Sequence, residues 1–143
     1  MIRTGLFVTL IMLMIAGFSL SSAETQNPPD LVGNWTGTSV GHDRTEGYDG
    51  PSSWDFILSI SEQKGRVFNG TISFTHKADK TKNGSVGFSG VIGSDMKSLY
   101  MAEYLDGFNV GQIMGPDTLE ILYLESGEEA SAAIDTFTRE LPK

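Results

Sequence analysis

The 143-residue chain contains no cysteine, and this absence excludes disulfide stabilisation and catalysis by a thiolate. It also argues against a lipoprotein anchor, which needs a cysteine after the N-terminal apolar run. An exported domain of about 120 residues without disulfides must be stabilised by packing or by oligomerisation.

Basic residues are scarce. The chain has 10 Lys and Arg against 18 Asp and Glu, and Arg3 belongs to the N-terminal leader. Nucleic acids and anionic membrane surfaces both need concentrated Lys and Arg. We therefore expect neither a nucleic acid nor, after removal of the leader, a membrane as a partner.

One apolar run stands out, from Leu6 to Leu20, behind Arg3 and before Ser21-Ser22-Ala23. A basic start, an apolar stretch of this length and small residues at a cleavage site are typical of a signal peptide, and the run is short for a membrane span. The sequence thus predicts a signal peptide at 1–23, a linker at 24–30 and one domain at 31–143. The localisation expected is secreted or extracytoplasmic.

No stretch of the domain has a sustained helical period, whereas short segments with a period of two follow one another along it. Eight strands are predicted, near 31–40, 53–62, 66–76, 86–93, 98–106, 108–115, 118–126 and 130–140. Most connections are short enough for hairpins, which favours an all-β fold, an eight-stranded antiparallel up-and-down barrel. A two-sheet sandwich is the alternative, with crossovers at 41–52 or 77–85.

An ordered series of short motifs resembles the avidins and streptavidins. The motifs are Gly33-Asn34-Trp35-Thr36, Phe68-Asn69-Gly70-Thr71, Gly87-Phe88-Ser89, Gly111-Gln112 and Asp135-Thr136-Phe137-Thr138-Arg139. The resemblance implies the barrel of that family and covers nearly the whole domain, with a longer connection at 41–52. Arg139 is expected to stack on Trp35 where the barrel closes, with Phe137 filling the core.

The resemblance also allows the biotin site to be compared position by position. Gly37 replaces an asparagine of the family, and apolar or unrelated side chains replace a tyrosine and the walling tryptophans. Asp135 matches the carboxylate that accepts a ureido N–H. The predicted lumen-lining positions are Ile72, Phe74, Ile92, Asn109, Leu122, Leu124 and Asp135. Because each lost polar contact costs about 1 to 3 kcal/mol, we expect high-affinity biotin binding to be lost.

Several strands are apolar on both faces, so one apolar face must point outward. We expect this face to form a homo-oligomer interface, in a dimer or tetramer. In the register that places Leu122 and Leu124 inside, Glu120 also points inward. The loop at 41–52 is expected to be solvated, with a lid or a weak calcium site as alternatives, and we predict no metal and no cofactor.

The function predicted is non-enzymatic binding of a small, mainly apolar ligand in the lumen, with Asp135 and Asn109 as polar anchors. The alternatives are a structural or inhibitory protein-binding module with a packed lumen, and residual weak biotin binding. An enzyme acting through Asp135 with Tyr123 or Tyr104 is a third hypothesis. Glycosylation sequons begin at Asn34, Asn69 and Asn83, and the sequence does not determine their use.

Overall fold

Nine β-strands and one 3₁₀ turn are present in residues 27–141, the part of the chain that the computed structural model describes. The strands are β1 (Gly33–Asp43), β2 (Gly47–Asp49), β3 (Trp54–Lys64), β4 (Val67–His76), β5 (Gly84–Ile92), β6 (Ser98–Glu103), β7 (Phe108–Gly115), β8 (Thr118–Glu125) and β9 (Ser131–Arg139). The turn is Lys80–Lys82. Over these residues no helix is long and apolar enough to cross a membrane. The predicted signal peptide at 1–23 lies outside the described residues.

The sheet closes on itself. Each strand from β3 to β9 pairs antiparallel with its sequence neighbour, β3 also pairs with β1, and β1 pairs with β9. Eight strands therefore form a continuous ring without a free edge. The predicted eight-stranded antiparallel barrel is confirmed, and the sandwich alternative is wrong.

The predicted loop at 41–52 is partly ordered as a hairpin. Strand β1 continues to Asp43, and the short β2 folds back on it, with Gly41 opposite Asp49 and Asp43 opposite Gly47. The Asp43 side chain accepts hydrogen bonds from the Thr45 and Glu46 amides at 2.7 and 2.6 Å. An aspartate that bonds amides two and three residues ahead stabilises a tight turn, which explains why this acidic segment folds back.

Side chains alternate between the interior and the solvent, as the period of two requires. The apolar core lies towards one end of the barrel, where bulky side chains from every strand except β2 and β7 meet: Leu31, Trp35, Leu58, Ile60, Phe68, Phe88, Ile92, Leu99, Met101, Leu119, Ile121 and Phe137 are all buried. We call this the closed end. Glycine makes room for the rings, since a β-carbon at Gly37 would lie 2.5 Å from the Phe137 ring.

The outer face carries a row of apolar side chains that runs across β4 to β9 and onto β1. Cross-strand pairing aligns Val67, Val91, Tyr100, Val110, Leu122, Ile134 and Val40 in one register. We call these seven residues the apolar band. Most of them are exposed, so the band is a strip of apolar surface that residues 27–141 leave uncovered.

Candidate functional site

The closed end is sealed by an arginine and the segment that precedes β1. The Arg139 guanidinium lies 4.0 Å from the centroid of the Trp35 ring and donates to the carbonyls of Val32 and Asp30 at 2.8 and 2.6 Å. The Trp35 indole donates to the Leu31 carbonyl at 3.0 Å. Gln63 also holds the segment, since its side-chain oxygen accepts from the Leu31 amide. This end of the lumen is therefore packed and capped, and it offers no entrance for a ligand.

The opposite end of the barrel, where β1 finishes and β3 begins, contains a cavity of about 200 Å³. We call this the open end. The cavity is lined by Ser39, Trp54, Phe56, Ile72, Phe74, Val86, Glu103, Asn109, Tyr123, Ala133 and Asp135. A shallower vestibule outside it adds residues of the β1–β2 hairpin, among them His42, Asp43 and Asp49.

One wall of the cavity is aromatic and comes from β3 to β5. The centroids of the Trp54, Phe56 and Phe74 rings are 6.1 to 6.4 Å apart, in tilted and edge-to-face arrangements. The Trp54 indole donates to Asp49 Oδ2 at 2.7 Å, which ties this wall to the β1–β2 hairpin. The Phe74 ring lies over Gly84, where a β-carbon would be 2.7 Å from it. The wall is thus fixed by packing and by one hydrogen bond.

The facing wall is polar and comes from β6 to β9 and β1. Asn109, only 1% exposed, donates its amide hydrogen to Glu103 Oε1 at 2.8 Å, and Tyr123 donates its hydroxyl to Glu125 Oε2 at 2.6 Å. Burial raises the pKa of Glu103, although the Asn109 hydrogen bond opposes the change. Burial also raises the pKa of the Tyr123 hydroxyl, and the bond to Glu125 adds to the increase.

Asp135 stands apart on this wall because its buried oxygen has no partner. The residue is 7% exposed, and among the described residues no donor reaches its Oδ1. Burial raises the pKa of its carboxyl group to about 6, and the Ser39 hydroxyl directly across the β1–β9 pair partly offsets this. An ionised carboxylate in such a place is costly until a hydrogen-bond donor meets it. The cavity therefore presents one free, buried acceptor.

The structure brings four of the predicted lining residues together at the cavity: Ile72, Phe74, Asn109 and Asp135. It places Ile92 elsewhere, which corrects the prediction. Strand β5 runs from the open to the closed end, so its last residue packs in the core opposite Leu99, whereas Val86 near its start lines the cavity.

The predicted inward direction of Leu122 and Leu124 is also wrong. Both lie on the outer face, 39% and 49% exposed, and Glu120 is exposed beside them. Pairing of β8 with β9 sets Ile121 opposite Asp135 and Tyr123 opposite Ala133, so the odd-numbered residues of β8 point inward. Because β8 is apolar on both faces, its hydrophobic pattern does not determine which face points into the barrel.

Sequence reasoning did not assign Trp54, Phe56, Val86 or Glu103 to the site. The first two share the face of Leu58 and Ile60 on β3, so the period of two already predicted that they point inward. No sequence pattern predicts that Glu103 points inward, because it is an acid at the end of an apolar strand and such residues usually face the solvent.

No protein-family model matches the sequence, and no curated protein sequence is significantly similar to it. Solved β-barrels are similar in fold. A redesigned β-barrel has a TM-score of 0.56 at 8% identity, with 78% of this chain and 92% of that chain covered. The S-type phycobiliprotein lyase of Guillardia theta has a TM-score of 0.51 at 10% identity, with coverages of 79% and 90%. The protein EF1p2_mFAP2b, bound to DFHBI, has a TM-score of 0.51 at 10% identity, with coverages of 77% and 94%. At such identities the likeness establishes a barrel and no family.

Proposed function

We propose that this chain is an exported barrel that binds a small, mainly apolar molecule in the cavity at its open end. The observation that carries the proposal is a cavity with an aromatic wall and a buried acceptor, Asp135 Oδ1, that no donor within residues 27–141 reaches. Few polar groups in a mainly apolar pocket are what small-molecule sites have in common. The similar barrel bound to DFHBI supports the idea that this architecture can hold such a molecule.

A packed lumen would favour a structural or inhibitory module instead. Packing is complete at the closed end, where Arg139 and Trp35 cap the core, and it stops short of the open end. The cavity that remains favours ligand binding over the packed-lumen alternative.

We also propose membership of the avidin-like family, with high-affinity biotin binding lost. The eight-stranded barrel and the Trp35–Arg139 contact at its closed end support the relationship. Gly37 offers no side-chain donor, and Ile72 and Phe74 offer none either, so Asp135 would be the one family-like polar contact. Calorimetric titration of the mature domain with biotin is expected to give no sub-micromolar dissociation constant, and such a constant would refute the loss.

Binding without catalysis is the activity proposed. The Tyr123 hydroxyl, the natural acid partner for Asp135, donates to Glu125 instead. Its raised pKa makes it a weaker proton donor still. Tyr104, the other tyrosine considered, is exposed on the outer face, where its ring covers Gly87.

Two matched substitutions on β5 test the proposed site. Val86→Phe places a ring in the cavity, and Ser85→Phe places the same ring on the outer face of the same strand, outside the apolar band. Binding of a neutral one-ring probe, 2-phenylethanol, would be followed by chemical-shift changes of backbone amides. We expect shifts around the cavity in the native protein and in Ser85→Phe, and none in Val86→Phe. Equal shifts in all three proteins would refute the proposal, and so would the absence of shifts in the native protein both with this probe and with 2-phenylethylamine.

Self-association is proposed to use the apolar band. A strip of apolar side chains across seven strands is larger than the scattered hydrophobic residues normal on a monomer surface. Native mass spectrometry of the mature chain should show a dimer or tetramer, and Leu122→Lys should give monomers of unchanged fold. A monomeric native protein would refute this assignment.

A further inference from the structure

The two walls of the cavity differ in charge as well as in polarity. Strands β3 to β5 supply only apolar and aromatic side chains, whereas the facing strands supply Glu103, Tyr123 and Asp135. All three ionisable groups in the lining are acids, and the described lining contains no Lys, Arg or His. An anionic ligand would face unscreened carboxylates in a site partly shielded from water, so the charge of the cavity excludes acids as ligands.

Two donors on the polar wall are engaged with other acids, and the Ser39 hydroxyl offsets only part of the cost of burying Asp135. The Asn109 amide bonds Glu103, and the Tyr123 hydroxyl bonds Glu125. In the part of the chain that the structure describes, no donor reaches Asp135 Oδ1, although the residue is only 7% exposed. A ligand N–H or O–H aimed at this oxygen would satisfy it.

A charged donor suits this place better than a neutral one. The carboxyl groups of Glu125 and Asp135 both raise the pKa of Glu103, which shows that the three acids lie within electrostatic reach of one another. A cation would relieve that mutual repulsion and also the cost of burying Asp135. The faces of Trp54, Phe56 and Phe74 opposite can pack against the apolar part of the ligand.

The volume limits the size of that apolar part. A dry cavity of about 150 Å³ holds benzene in a well-studied case of another protein. About 200 Å³ therefore accommodates one ring and a short chain. We propose that the ligand is an organic cation of this size, an arylalkylamine with its ammonium group bonded to Asp135 and its ring against Trp54, Phe56 and Phe74. This inference rests on the proposed function, since it names the ligand class of the same cavity.

Three probes of nearly equal shape and different charge test the inference: 2-phenylethylamine, 2-phenylethanol and 3-phenylpropanoate. Titrations at pH 7.5, followed by calorimetry or by amide shifts, should rank the amine at least tenfold tighter than the alcohol, with the carboxylate weakest. If the alcohol binds as tightly as the amine, the inference is wrong while the proposed cavity function stands. If none of the three binds, both fail.

Asp135→Asn keeps the shape of the side chain and removes its charge, so it should abolish the preference for the amine over the alcohol. Glu120→Gln is the matched control, because it removes one negative charge from the exposed face of the neighbouring strand. Equal loss of amine affinity in both variants would indicate a general field effect and would refute a specific role for Asp135.

A pH series on the native protein tests the same contact without a variant. The pKa of about 6 leaves Asp135 mostly ionised at pH 7.5 and mostly protonated at pH 5, so amine affinity should fall about tenfold between these values. The other titratable and charged groups that face the cavity or its mouth are Glu103, Tyr123, Glu125, His42, Asp43, Asp49 and His76. Asp135→Asn retains all of them, so an unchanged pH dependence in that variant would overturn the assignment to Asp135.

Discussion

The two ends of the barrel are built from the same strands, but one end is packed with apolar side chains and the other contains a cavity. At the closed end the inward positions carry large apolar side chains with glycines between them, and Arg139 caps the stack with hydrogen bonds to two carbonyls. At the open end the same strands carry Ser39, Asn109, Glu103 and Asp135, and a cavity remains between them and the aromatic wall. Strand β9 makes the change within a few residues, from Phe137 in the core to Asp135 at the cavity.

Under the proposed function, this division separates the residues that stabilise the fold from those that bind the ligand. A closed ring of hydrogen-bonded strands is rigid at both ends, so the packed half can hold the unpacked half in shape. The core at the closed end can then offset the free-energy cost of imperfect packing and of an uncompensated carboxylate at the open end, where a ligand would bind. Each end therefore predicts a different response to substitution.

The largest difference is expected between the two tryptophans. Trp35 is fully buried beneath Arg139, whereas Trp54 is half-buried at the cavity. Trp35→Ala should lower the free energy of unfolding by about 3 to 5 kcal/mol, because it opens a cavity in the core and leaves the guanidinium without its ring. Trp54→Ala should cost about 1 to 2 kcal/mol, since much less apolar surface is lost. Urea unfolding measures both, and equal costs would contradict the division.

The second-largest effect is an expected gain in stability, and it concerns Asp135 at the open end. A carboxyl pKa raised from 3.8 to about 6 means that the folded state binds this proton more tightly than the unfolded state. The contribution to stability is therefore full below about pH 4 and is lost as the pH rises through about 6, by about 3 kcal/mol. Asp135→Asn should accordingly raise the free energy of unfolding at pH 7 by about 1 to 3 kcal/mol.

A measurement at low pH is the control for this expected gain in stability. Near pH 4 the native protein carries a protonated Asp135, so the difference between native and Asp135→Asn should shrink or vanish there. Glu103 also has a raised pKa and remains in both proteins; because the Asp135 charge contributes to that increase, Asp135→Asn should lower the pKa of Glu103 and add to the gain at pH 7. Destabilisation by Asp135→Asn at pH 7 would mean that the carboxylate supports the fold, contrary to its unpartnered oxygen.

The ends also differ in how well the sequence predicted them. The closed end was predicted well, because the motifs that resemble the avidins and the alternation on β9 place Trp35, Phe137 and Arg139 where the barrel closes. The segment before β1 was predicted as a linker, yet Gln63 and Arg139 hold its carbonyls. These contacts join residues that are far apart in the chain, so no local sequence pattern predicts them.

The open end depends on strand direction, which composition does not reveal. The predicted strands at 118–126 and 130–140 leave a turn centred on Glu128, and such a turn places Ile121 opposite Asp135. With Asp135 facing the lumen, this pairing points Leu122 and Leu124 outward, contrary to the prediction. Because both faces of β8 are apolar, its hydrophobic pattern did not reveal that the predicted inward direction disagreed with the pairing. Glu103 and its hydrogen bond to Asn109 depend on the three-dimensional register of β6 and β7, which the sequence alone does not fix.

The smallest effect is expected at the mouth of the open end, where the Lys82 ammonium group pairs with Glu46 and so connects the 3₁₀ turn to the β1–β2 hairpin. Both side chains are solvent-accessible, so screening and side-chain entropy should cancel most of the attraction. Lys82→Ala is expected to leave the denaturant midpoint within experimental error and to speed amide hydrogen exchange in β2, which pairs only with β1. Arg139→Ala is the matched control at the closed end, because it also removes one cation and there should lower the midpoint clearly. A shift of the midpoint by Lys82→Ala as large as that of Arg139→Ala would show that the mouth contributes to global stability and that the two ends are less separate than their packing indicates.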